Sequence, residues 1–148
     1  MAKFKFRLQS VLNIKIRLED QQRNVFAQTS KRLQDEEEKL NDLFGRQEFY
    51  REEGRKLRNK SLNIQDIIEN QTALERIKEY IEEQQANVKL WEMKLEEERV
   101  KLVEMMKERK TYEKLREKAF EEFLEEEKHS ESVSNDERNS YVYGIHTV

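Results

Sequence analysis

Between residues 67 and 112, apolar side chains recur every seven positions in two interleaved columns. One column reads Ile67, Leu74, Ile81, Val88, Leu95 and Leu102. The other reads Ile77, Gln84, Trp91, Glu98, Met105 and Tyr112, with polar breaks at Gln84 and Glu98. Columns offset by three or four that repeat every seven place a narrow apolar seam on one side of a helix, which is the coiled-coil pattern. A lone helix cannot bury such a seam. The stretch from Gln22 to Leu57 carries a weaker version, with Phe26, Leu33 and Leu40 in one column and Leu43, Tyr50 and Leu57 in the other. Thr29, Glu36, Gln47 and Gly54 interrupt it. Gly45 and Gly54 each cost roughly 1 kcal/mol relative to alanine inside a helix, so they mark softer positions or a close backbone approach.

Around Arg58 to Asn63 the periodicity stops. Asn63 suits an N-cap, with Asp66 three residues on, and Ser61 is the alternative cap. A short break between two long amphipathic helices makes antiparallel neighbours the default. Folding back there pairs position i with roughly 121 − i, which brings Leu40 near Ile81 and Leu33 near Val88. The predicted fold is therefore all-α, a long antiparallel two-helix coiled-coil hairpin. Helix one spans about 4–58, the turn 59–63 and helix two about 64–128. Residues 129–148, rich in Ser, Asn, Glu and Asp and holding both histidines, His129 and His146, are expected to be a disordered tail.

Within the seam, Gln84 and Glu98 are expected either to fix register or to face a partner, and Trp91 to anchor the core. Phe120, Phe123 and Leu124 have no opposite number in the shorter first helix. They form either an uncovered apolar patch or a bed for the start of helix one. The run Asp35-Glu36-Glu37-Glu38 lacks the loop spacing and glycine of a calcium site and is expected to be a solvated helix face.

Composition narrows the function. Charged residues make up 41% of the chain and hydrophobic ones 35%, with no proline and three glycines, which favours long helices over a globular core. The 29 basic and 32 acidic side chains leave a net charge of −3, which gives no drive towards nucleic acid. The absence of cysteine removes thiol chemistry, and no apolar run is long enough for a signal peptide or membrane span, so a soluble intracellular protein is expected. No phosphate loop, nucleophile elbow or zinc motif occurs, and a two-helix hairpin offers no enclosed pocket for a perturbed carboxylate. No enzyme activity, metal or cofactor is expected.

Charge is unevenly placed. Lys3, Lys5, Arg7, Lys15 and Arg17 precede the first acid, Glu19, and the fold-back sets them beside Lys107, Arg109, Lys110, Lys114 and Arg116. Both arms are then basic at one end, which suits an acidic protein surface; an anionic membrane is the other reading.

The opening F-x-F-R-L-Q-x-V-L at residues 4–12, the short break near 59–63, and the segment from Asn70-Gln71-Thr72-Ala73-Leu74-Glu75-Arg76-Ile77 to Gln84 and Trp91 closely resemble the flagellar export protein FliJ. The resemblance covers about residues 4–128. It implies a hairpin similar to the central stalk of rotary ATPases, acting as a soluble component of the flagellar type III export apparatus. It further implies cytoplasmic placement at the inner face of the membrane and three partners. These are the export ATPase hexamer at the end bearing the termini, the cytoplasmic part of the export-gate membrane protein, and export chaperones. The gate-binding stripe of the family falls here on Ala73, Ile77, Tyr80 and Gln84. A general tethering coiled coil is the alternative.

Overall fold

The computed structural model describes residues 2–60 and 63–146. It contains two helices, α1 (Gln9–Asn59) and α2 (Ile64–His146), packed antiparallel as the expected hairpin. Ser61 and Leu62, with the alternative cap at Ser61, lie outside the described residues. Asn63 caps α2: its side-chain oxygen accepts from the Gln65 amide at 3.1 Å, and Asp66 occupies the first turn, where the helix dipole favours an anion.

The chain forms two compact units, Met1–Asp20 with Val103–Val148, and Gln21–Leu102. In the second, the side chains withdrawn from solvent step by three and four along both helices. On α1 they run Gln22, Phe26, Thr29, Leu33, Glu36, Leu40; on α2 they include Leu74, Ile77, Ile81, Gln84, Val88 and Trp91. Ile77, Ile81 and Val88 are the buried apolar residues of this seam. Register is read directly from polar pairs. Gln22 bonds Glu98, Glu36 bonds Gln84, and Asn70 donates to the Tyr50 carbonyl at 2.9 Å, each pair of numbers adding to 120. The predicted register of 121 is met within one residue.

Gly54 is buried where the arms approach closely. A Cβ there would meet the Asn70 Oδ1 at 2.5 Å, whereas one at Gly45 would meet nothing within 4 Å. Gly45→Ala is therefore expected to raise stability by roughly 0.5–1 kcal/mol through helix propensity alone. Gly54→Ala has the same propensity gain but must displace the short, hydrogen-bonded Asn70 side chain, and is expected to lower the thermal midpoint. Parallel melts of the two variants check this contrast.

Two boundaries differ from expectation. Helix one begins at Gln9 rather than about residue 4: residues 2–6 are neither helix nor turn, and exposure alternates along Lys3, Phe4, Lys5, Phe6, Arg7 and Leu8, with the apolar members turned inward. Period two, not 3.6, governs this stretch, since alternate residues cannot share one face of a helix. Helix two runs to His146 rather than stopping near 128. Residues 128–144 are all exposed; no proline interrupts them, and the helix closes its backbone hydrogen bonds internally.

Candidate functional site

The polar residues of the seam form the best-defined local chemistry. Glu36 is 1% exposed and is held as a carboxylate by several donors. It accepts from Gln84 Nε2 at 2.6 Å and Asn87 Nδ2 at 2.7 Å, while Arg32 and Lys39 lie at 3.1 and 3.3 Å. The bond from Gln84 leads in holding its pKa below the usual carboxylate value, against the opposing effect of burial. The acidic run is thus divided: Asp35, Glu37 and Glu38 are exposed as expected, but Glu36 faces the other helix. Glu98 repeats the device, accepting from Gln22 Nε2 at 2.5 Å, with its pKa lowered chiefly by that bond. Gln84 and Glu98 therefore face across the seam. Trp91 is half-buried beside them, with Lys94 at 4.2 Å and Arg32 at 5.2 Å from its ring centre, within cation–π range.

The stripe Ala73, Ile77, Tyr80 and Gln84 is divided by the packing. Ile77 is 4% exposed in the core and Gln84 is engaged with Glu36, whereas Tyr80 is 55% exposed and Ala73 is half-buried. Tyr80 and Ala73 open onto a groove of about 520 Å³ shared with Arg46, Tyr50, Ile68 and Arg76. Ile77 borders the same groove from within the core, while Gln84 is turned towards Glu36. Arg46 and Arg76 belong to the same groove and were not singled out by the seven-residue pattern, since both lie off its columns.

The ten cations of the basic end also separate. Arg109 is half-buried against the buried Glu19 and forks onto Glu113 at 2.9 Å, bonds that raise its pKa, Glu19 first. Lys15 pairs with Glu108 at 2.9 Å, and that hydrogen bond is the leading cause of its raised pKa. Lys107 lies 3.9 Å from Glu104. Arg116 donates to Gln9 at 2.9 Å and stacks over Phe4 at 5.5 Å. Lys3, Lys5, Arg7, Arg17, Lys110 and Lys114 are exposed, and among the described residues they enter no ion pair. The mutual repulsion expected of two basic arms is thus relieved in part by Glu19, Glu108 and Glu113. The start of the chain covers the aromatic patch in part: Phe4 lies edge-on to Phe120 at 5.1 Å and 5.5 Å from Phe123, while Phe120 remains 42% exposed. Leu124 stays 46% exposed beside them.

Among the described residues no helix is long and apolar enough to cross a membrane, and no group of acids and histidines is placed to hold a metal. The family model of the flagellar FliJ protein matches residues 4–145. Among solved structures, the chain is similar to a YscO homologue, CT670, from Chlamydia trachomatis. The TM-score is 0.75, with 21% identity over 98% of each chain, a likeness that speaks to the fold. No curated protein matches it. A family match across nearly the whole length, on a hairpin of the expected register, establishes membership: the chain belongs to the FliJ family of flagellar export proteins.

Proposed function

We propose that this chain is a stalk-like coupling component of the flagellar type III export apparatus that works by binding and catalyses no reaction. Its basic end engages the export ATPase hexamer, the groove around Tyr80 receives the cytoplasmic part of the export-gate protein, and the helices escort export chaperones. It acts in the cytoplasm, held at the inner face of the membrane by the apparatus. The observation that carries this reading is the FliJ family match over residues 4–145. The exposure of Lys3, Lys5, Arg7, Lys110 and Lys114 in one compact unit supports the ATPase contact, since exposed cations steer an acidic partner.

The test uses the exposed cations and leaves Arg109 in place. Lys5→Glu, Arg7→Glu and Lys110→Glu combined should weaken capture by the purified export ATPase at least about tenfold at low salt, with helical circular dichroism unchanged. Tyr80→Ala should separately reduce capture by the gate protein's cytoplasmic part without moving the unfolding midpoint. Unaltered capture in both assays would remove the proposal.

A further inference from the structure

We infer that residues 2–6 act as a strand donor, pairing along the exposed edge strand of a partner's sheet whose flanking side chains are acidic. The inference rests on the ATPase reading above and specifies the manner of that contact. Three features of this segment point the same way. Its exposure alternates with period two, as on a β-strand, placing Phe4 and Phe6 inward and Lys3, Lys5 and Arg7 outward. Its backbone is open: the Phe6 carbonyl accepts from the Gln9 amide at 3.1 Å, and among the described residues the backbone of residues 2–5 makes no hydrogen bond. Backbone donors and acceptors in an extended segment are the template for strand addition.

The segment is also held in place before any partner arrives. Phe4 sits against Phe120 and Phe123, with the Arg116 guanidinium over its ring. A strand ordered in advance loses less conformational entropy on binding. Charge decides the occupant. Two copies of the segment paired with each other would set Lys3, Lys5 and Arg7 against their own kind, and like charges opposite one another destabilise a strand pair. Glu122 and Glu126 share a groove with these cations on its α2 side, and an acidic edge that pairs with the outward Lys3, Lys5 and Arg7 reverses the sign of self-pairing, so the cations select the partner.

Amide hydrogen exchange of the full chain, read residue by residue with and without saturating purified export ATPase, tests this. The expected result is slowing of at least about tenfold at alternate amides among residues 3–7, since ladder pairing engages alternate residues of one edge. Lys5→Pro, which removes a backbone donor, should weaken binding about tenfold more than Lys5→Ala, which removes the charge alone. Binding with these amides unprotected, and with the two variants equal, would overturn strand pairing while leaving the ATPase reading intact. No binding by the unaltered chain would overturn both. A dimer of the chain alone with the same amides protected would assign the strand to a second copy and overturn the acidic partner.

Discussion

Gln84→Leu should lower stability by about 1–3 kcal/mol, even though it adds an apolar side chain to an apolar seam. The reason lies across the interface. Gln84 donates to both the carboxylate and the backbone carbonyl of Glu36, at 2.6 and 2.9 Å, and leucine leaves a buried anion short of its principal donor. Glu36→Leu alone should also be destabilising, because Gln84 and Asn87 then lose their acceptor. The double variant Glu36→Leu/Gln84→Leu is expected to recover most of the loss, falling short of the parent by the Asn87 amide left without its acceptor, since an apolar pair avoids the desolvation of a buried charge. Urea unfolding of all four proteins closes this cycle, and additive losses in the double variant would refute the coupling. What the polar pairs contribute is register: Gln22 with Glu98, Gln84 with Glu36 and Asn70 with the Tyr50 carbonyl tolerate few alternative alignments, while leucines slide.

The same carboxylate has a pH signature. Its folded pKa lies below the ordinary 4.5, chiefly through the Gln84 bond, so its contribution is complete above that pH and is lost as the pH falls through the lower folded value. Glu36→Gln should remove that part of the acid-induced loss while leaving the slope of stability between neutral pH and about 5 unchanged.

How much of this was legible depended on whether a residue's environment is set by spacing or by what lies opposite. The seven-residue columns fix the antiparallel hairpin, and the break before Asn63 fixes its register, because one-chain closure leaves few alignments that cover Ile77, Ile81 and Val88 together. Glu36 and Glu98 stand at seam positions by spacing alone. Reading Glu36 as part of a solvated run failed because four consecutive acids look like a surface, whereas a helix turns each of them to a different side. The start of α1 was misplaced for a related reason. Phe4, Leu8, Val11 and Leu12 fit a helical spacing, but adding Phe6 makes the period two, and that single residue was the available signal. The candidate stripe on α2 mixes outward Tyr80 with buried Ile77, a difference set by proximity to α1 that spacing along α2 cannot resolve.

The ten-cation basic end conceals one member of another kind, and it gives the second large effect. Arg109→Glu is expected to cost on the order of 3 kcal/mol, as it sets a second carboxylate against the buried Glu19. The Glu19 side chain is only 4% exposed and that of Arg109 20%, so little water is available to screen the two carboxylates from each other. The new carboxylate would also stand beside Glu113, adding like-charge repulsion. Lys110→Glu, one residue on, alters an exposed position and should change stability by no more than about 0.5 kcal/mol. The charge-swapped double variant Glu19→Arg/Arg109→Glu should recover part of the loss, because it restores opposite signs across the same contact. Unfolding midpoints for the three variants distinguish these outcomes, and equal midpoints for Arg109→Glu and Lys110→Glu would show that the pair contributes nothing. The functional corollary is strict. Loss of ATPase capture in Arg109→Glu would report melting of the basic end unless helicity and midpoint were intact, whereas the same loss in Lys110→Glu would report a contact.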